Sequence, residues 1–325
     1  MATYRAIKGL EIQSQSSDPA NPLKGQVWYN TTGGVLKVAG AGAWSSGGNL
    51  LTGSENAYAS NAGTQTACIV FGGGENGAEV GPTQSYNGST WTEVADLNTA
   101  RYNLMGAGTS TAALAFGGKT PTTTAVTEEW GGSAWVSNPS PSGDMGAARY
   151  VSAAFGTQSS AVSAGGDPYT TNTEEYGGTT WTAGTATPGQ KYQISGTGTL
   201  TAGLMAGGVG VPGHALQTES WEYNGTSWTA GGTMGTAAGY NTMFGSQTAA
   251  KLCGNSPKST LVQDYDGSSW TTGTSLTTDR FRSSSAGTAT AGVVIGGEVS
   301  PGPGAAITTV EEFNDPGTTT ITTST

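Results

Sequence analysis

Two short blocks alternate along most of this chain, and their recurrence restricts it to architectures built by repetition. The first is a Gly pair after an apolar run, as in Ile69-Val70-Phe71-Gly72-Gly73 and Leu114-Ala115-Phe116-Gly117-Gly118. It returns at Gly165-Gly166, Gly207-Gly208 and Gly296-Gly297, with a degenerate copy at Cys253-Gly254-Asn255. The second is an aromatic residue, a turn and a tryptophan: Tyr86 to Trp91, Trp130 to Trp135, Tyr176 to Trp181, Tyr223 to Trp228 and Tyr265 to Trp270. From Trp91 through Trp135, Trp181 and Trp228 to Trp270 the steps are 44, 46, 47 and 42 residues.

That period belongs to propeller blades, and each repeat divides into four short strands, A to D. Strand A is rich in small residues, B is the apolar run into the Gly pair, C carries the aromatic residue and D the tryptophan. Asn-Gly, Asp-Gly and Gly-Gly between C and D point to two-residue hairpins with positive φ and an antiparallel C–D pair. The 54 glycines suit many tight turns, and nine Trp and twelve Tyr at fixed places supply anchors that disordered chains lack. Cys68 and Cys253 lie in B strands and read as small buried thiols; two cysteines exclude a disulfide framework.

Gly-Gly, then an aromatic residue, then Trp resembles the kelch repeat over roughly residues 45–315. The resemblance implies an all-β, six-bladed kelch-like β-propeller, with Trp44, Trp91, Trp135, Trp181, Trp228 and Trp270 as repeat anchors. The sixth repeat has no Trp after Phe313-Asn314-Asp315-Pro316. Two closures are open: a strand containing Trp44 completes the last blade, or the Thr-rich stretch Thr318 to Thr323 does. Trp44 is preferred, because Ala43-Trp44 is otherwise unmatched and an unpaired strand edge is adhesive.

Residues 1–42 do not fit the repeat. The stretch from Gly25 to Val38 reads as a β-hairpin, with Pro19 and Pro22 marking an extended lead-in. The wording Asp18-Pro19-Ala20-Asn21-Pro22 followed by Gly25-Gln26-Val27-Trp28-Tyr29-Asn30-Thr31-Thr32 is similar to a segment of structural proteins of tailed bacteriophages. On this basis the chain divides into an N-terminal arm and hairpin (1–42) for virion docking, the propeller (43–315) and a Thr-rich tail (316–325). The resemblance implies a virion protein assembled in the host cytoplasm, with other virion proteins as partners through the arm and a homo-oligomer in the particle. It would also explain a binding fold whose first residues, Met1 to Lys8, carry no apolar secretion signal.

The segments between B and C vary in length and composition: 74–83, 119–125, 167–172, 209–217 and 298–308. Variable loops on a regular scaffold are the usual place for recognition, and the D–A links share their face. Arg101-Tyr102, Arg149-Tyr150, Lys191-Tyr192 and Arg280-Phe281 open four A strands there. One reading is a basic, aromatic site for a sugar or carboxylate. The other is structural: each cation caps a neighbouring blade's carboxylate, such as Glu128, Glu129, Glu174 or Glu175, and recurrence in four of six repeats favours it.

Enzyme classes fare worse. The Tyr-Asn-Gly-x-x-Trp turns resemble a sialidase Asp-box only loosely, and no motif assigns an acid or nucleophile. A copper oxidase of the galactose oxidase type needs several imidazoles, whereas His214 is the one histidine. The net charge of −10 is spread thinly, without the Lys/Arg cluster a nucleic acid would want, and no apolar stretch spans a membrane. The sequence therefore leads to no catalytic residue, cofactor or metal. Its leading function is a phage virion protein, a tail fibre or other surface appendage displaying the propeller toward a host-surface glycan. The alternative is a capsid or tail decoration or adaptor protein making only protein–protein contacts; a carbohydrate-active enzyme ranks below both.

Overall fold

The structure, a computed structural model, describes residues 12–19, 25–53, 62–75, 78–79, 82–138, 143–299 and 306–321. Among them there are strands and no helix. The expectations for residues 1–8, for Pro22 and for parts of the segments 74–83 and 298–308 fall outside the described residues. The chain forms two compact units, one of residues 1–43 with 314–325 and the other of residues 44–313.

In the larger unit the repeats become six small four-stranded sheets. Sheet 1 contains Gly63–Thr64, Ala67–Phe71, Thr83–Tyr86 and Trp91–Val94, and sheet 2 contains Met105–Thr109, Ala112–Phe116, Thr127–Trp130 and Trp135–Ser137. Sheet 3 is Ala153–Thr157, Ser160–Ala164, Thr173–Tyr176 and Trp181–Gly184; sheet 4 is Ser195–Thr199, Ala202–Ala206, Ser220–Tyr223 and Trp228–Ala230. Sheet 5 is Thr242–Ser246, Ala249–Cys253, Val262–Tyr265 and Trp270–Thr272. Sheet 6 takes Ser284–Thr288, Ala291–Ile295 and Val310–Asn314 from the C-terminal repeat and Ala43–Ser46 from the other end of the chain. The architecture is all-β and propeller-like, made of small antiparallel sheets.

Burial follows strand order. The A strands touch their successors in sequence, and Gly63–Thr64 touches both Met105–Thr109 and Ser284–Thr288. B strands are nearly continuous apolar runs because both faces are covered. The core is accordingly divided into clusters lying between sheets. Ile69, Phe71 and Leu97 of the first repeat pack with Ala113, Trp130 and Trp135 of sheet 2. Cys68, Val70, Tyr86 and Trp91 of sheet 1 pack with Ala286, Val293, Ile295 and Val310 of sheet 6. Both cysteines are free and buried, and loss of hydration pushes the Cys68 thiol up to about 12.

The Gly pair has a specific task. Its second amide reaches the carbonyl at the head of the next strand A: Gly73 to Arg101 at 2.8 Å, Gly118 to Arg149 at 2.9 Å, Gly166 to Lys191 at 2.8 Å and Gly208 to Ala238 at 2.8 Å. The approach needs a first glycine with positive φ, and a Cβ on Gly117 would stand 2.5 Å from the Arg149 carbonyl oxygen. Asn255, at the degenerate site, still donates to the Arg280 carbonyl at 3.2 Å.

The C–D pairs are antiparallel as expected. The ladder ends at Tyr86 and Trp91, and one further backbone bond, from the Asn87 amide to the Thr90 carbonyl at 3.3 Å, closes the turn around Gly88 and Ser89. Asn87 Oδ1 takes the amides of Ser89 (3.0 Å) and Thr90 (2.9 Å), and Asp266 does the same for Ser268 (2.9 Å) and Ser269 (2.8 Å). In these turns the acidic or amide side chain takes the inward amides, and only the glycine after it has positive φ; Gly131 and Gly177 hold the same position in sheets 2 and 3 with no side chain.

In the smaller unit the expected hairpin pairs Val27–Asn30 with Val35–Ala39. Gln13–Gln15 adds in parallel on one side, and Thr318–Thr320 adds antiparallel to Val35–Ala39 on the other. Trp28 is wholly buried, and Asp18 accepts from its Nε1 (3.2 Å), from Asn30 Nδ2 (2.8 Å) and from Lys37 Nζ (2.6 Å). Those bonds, that of Lys37 first, hold the Asp18 carboxyl below its ordinary value.

Candidate functional site

The cations singled out from the sequence lie beneath the surface. Arg101, Arg149 and Arg280 are 0% exposed, and Lys191 is 6% exposed. Arg101 donates to the carbonyls of Gly117 (3.0 Å) and Val126 (2.5 Å) and to Glu128 (3.0 Å). Arg280 repeats this on Gly296 (2.9 Å), Thr309 (3.1 Å) and Glu311 (2.5 Å), while Arg149 holds Asn172 (2.8 Å) and Glu174. The carboxylate comes from strand C of the sheet that the link enters, within the same repeat, and not from a neighbouring one. It also takes link amides, as Glu128 does from Asn98 (2.8 Å) and Thr99 (3.2 Å). Burial pulls the Arg101 guanidinium down to about 10, still cationic at neutral pH. With its carbonyl on one sheet's Gly pair and its guanidinium on the next sheet's carboxylate, each arginine joins two sheets and offers no face to a ligand from outside.

The second carboxylate of the Glu pairs does different work. Glu129 accepts the hydroxyl of Tyr176 (2.5 Å), Glu175 that of Tyr223, Glu222 that of Tyr265 (2.6 Å) and Glu312 that of Tyr86 (2.6 Å). Each pair links consecutive sheets, the last one joining sheets 6 and 1. Where the next aromatic residue is Trp130 or Phe313 and has no hydroxyl, the position holds Ser85 or Asp264, and Asp264 pairs with Lys251 (2.7 Å). The Trp anchors also donate across to the preceding sheet: Trp135 to Thr83 Oγ1 (3.1 Å), Trp181 to Thr127 Oγ1 (3.0 Å) and Trp270 to Ser220 Oγ (3.1 Å). Trp44 reaches the Thr274 carbonyl at 2.8 Å and packs on Phe313 and Phe244 with centroids 5.1 and 6.4 Å away.

Of the aromatic residues after the cations, Tyr102, Tyr150 and Tyr192 are only partly covered, whereas Phe281 is buried. Tyr102, Tyr150, Tyr192 and Phe281 bridge to Lys119, Asp167, Val209 and Glu298 of the B–C segments, which puts the links and those segments together. Tyr150 lies under the Lys119 ammonium (4.7 Å from the centroid). Burial first, then its hydrogen bond to Asp167, pushes its phenol up. Tyr169, 43% exposed, stands 5.1 Å from Tyr192 and 5.4 Å from His214 between centroids. Tyr192 Oη and His214 Nδ1 are 3.2 Å apart. Further round, Arg282 lies 5.2 Å from the Tyr240 and Phe281 ring centroids and pairs with Glu298. The aromatic part of the sequence expectation is therefore gathered at one loop-bearing surface. Its cations are Lys119 and Arg282, whereas Arg101, Arg149 and Arg280 lie below it.

Sequence reasoning gave no site role to Tyr169, His214, Lys119 or Arg282; Tyr169 and His214 follow no repeat position, whereas Lys119 opens a B–C segment as Asp167, Val209 and Glu298 do. Position 282 belongs to a recurrent left-handed set, Asn103, Val151, Gln193, Tyr240 and Arg282, with φ between 52° and 58°. Among the described residues, no cluster of three His, Cys, Asp or Glu side chains could hold a metal ion. No described helix is long and apolar enough to cross a membrane.

The fold and this surface define an all-β repeat protein with a polar, aromatic surface on its variable segments. A scan against protein-family models found no match, and a search of curated proteins found no similar sequence.

Proposed function

We propose that residues 43–314 form a six-bladed kelch-like propeller closed by Ala43–Ser46, in a tailed-phage virion protein that presents the propeller to a host-surface glycan. Closure is supported by contacts between sheets 1 and 6 that repeat those between other neighbours. Gln65 Nε2 donates to the carbonyls of Gly292 (3.2 Å) and Phe313 (2.8 Å), as Gln158 does to Ala113 (3.1 Å) and Trp130 (2.7 Å). The recognition role is carried by the Tyr169, Tyr192 and His214 cluster, because exposed aromatic faces beside hydrogen-bonding groups suit stacking on sugar rings. Ile12 (39%), Tyr29 (40%) and Ile321 (36%) are exposed on the smaller unit, which fits docking of that unit onto other virion proteins.

Glycan-array and host-cell binding of the isolated protein tests the role. Tyr169→Ala and Tyr192→Ala should each weaken binding about tenfold, the scale of one aromatic contact, with the thermal transition unchanged for the exposed Tyr169. A folded parent that binds neither glycan nor cell would leave the decoration or adaptor role as the better reading.

A further inference from the structure

The fourth repeat breaks the pattern of ties, and the break leaves a cavity. In sheets 2, 3 and 6 the strand C position that faces the link is Glu128, Glu174 or Glu311, each paired with a buried arginine. In sheet 4 the same position, opposite Met205 and Ala230, is Trp221. The cation there is Lys191, which lacks a guanidinium fork and pairs with Glu219 just outside the strand. Lys191 is buried, but the Glu219 side chain is 51% exposed. Beside them lies a cavity of about 230 Å³, walled by Trp221, Pro188 and Pro212 and by the polar side chains of Lys191, Gln217 and Glu219.

Trp221 also stands apart from the other tryptophans. Of the nine in the chain, the other eight donate their indole N–H to an acceptor. The Trp221 Nε1 is buried and, among the described residues, has no hydrogen-bond partner. A buried indole N–H is ordinarily satisfied, and this orphan belongs to a tryptophan whose side chain walls the cavity.

We propose that this cavity seats one pyranose unit of a glycan; this rests on the recognition role above and adds a specific binding pocket to it. The occupant must offer hydroxyls to a carboxylate, an ammonium and an amide, and C–H faces to the indole ring and the two prolines. A pyranose meets all of these. A free anion is disfavoured because Glu219 already neutralises Lys191, and a hydrocarbon would leave the ion pair without polar partners. The volume lies below the roughly 300 Å³ at which drug-sized sites begin, which fits a single ring better than a chain.

The test uses the full chain labelled with nitrogen-15, its indole N–H resonances followed during titration with methyl glycosides of glucose, galactose, mannose and N-acetylglucosamine. Loss of one signal in Trp221→Phe assigns Trp221. At least one glycoside should shift that signal saturably. One variant should abolish the shift while the other native indole signals stay in place: Gly189→Trp plugs the rim of the cavity, where a Cβ meets nothing within 4 Å. The proposal is overturned if no glycoside moves the Trp221 signal, or if Gly189→Trp leaves the shift intact. Glycan binding lost in Tyr169→Ala, with Trp221 unmoved throughout, overturns the pocket and keeps the recognition role. A Trp221 shift from a protein that binds no host cell supports the pocket and sinks the role.

Discussion

At the scale of single residues, the repeats expose a rule of charge matching. Arg101, Arg149 and Arg280 each face a glutamate on strand C, but the fifth repeat has Ala238 where the cation would be and Gln263 where the carboxylate would be. Gln263 Oε1 takes the Thr236 amide at 3.1 Å and its Nε2 donates to the Thr236 carbonyl at 3.0 Å, so the link is held without charge. Removing one member of a buried pair strands the other, at about 3–5 kcal/mol, whereas removing both avoids that penalty. Arg101→Ala should therefore lower the unfolding free energy by about 3–5 kcal/mol, with Glu128→Gln in the same background recovering part of the loss. A denaturant series on both proteins checks this; equal or additive losses would contradict the matching rule.

At the scale of elements, sheets are joined by phenol–carboxylate bonds, and these respond to pH. The Tyr86 and Tyr265 phenols are pushed up to about 12, burial being the larger cause and the Glu312 or Glu222 acceptor the next. Tyr176 and Tyr223 move in the same direction. Because the folded state holds the proton more tightly than an unfolded chain, whose phenols titrate near 10, this contribution is whole below pH 10 and drains away as the pH rises toward 12. The thermal midpoint should fall steeply over that interval, and less so in Tyr176→Phe, as followed by circular dichroism. The repeat, its four strands and the Trp anchors were legible in the sequence because hydrophobic period and turn chemistry are local signals. The partner of each glutamate was not, since the tyrosine it meets lies one repeat away and the two carboxylates of a pair look alike. A signal existed in the alternation of Glu with Ser85 and Asp264 before Trp130 and Phe313. The two-residue turn was legible in part: the Asn87 amide reaches the Thr90 carbonyl, but the Thr90 amide returns to the Asn87 side chain, and only Gly88 has positive φ. Tyr169 and His214 sit on segments that obey no period, so nothing in the repeat could single them out.

At the scale of the whole molecule, the position of Trp44 decides how the repeats are tied together. It occupies the place in sheet 6 that Trp181 occupies in sheet 3, with its indole N–H donated to the preceding repeat in both cases. Trp181→Ala should cost about 3–5 kcal/mol, as large buried truncations do, and Trp44→Ala should cost a comparable amount despite lying near the chain's start. Urea midpoints measure both; a near-silent Trp44→Ala would show that sheet 6 does not depend on that strand. The arrangement also sets an order of events on the ribosome. Ser45 Oγ donates to the Glu312 carbonyl, a partner 267 residues away, so the strand that completes sheet 6 leaves the exit tunnel long before the strands it joins. At roughly 5–20 residues per second the wait lasts from about a dozen seconds to most of a minute. During that interval five sheets can form with their first and last edges bare. Premature pairing between nascent chains on one polysome is the hazard this topology creates, and the speed of elongation through the final repeat becomes a determinant of yield.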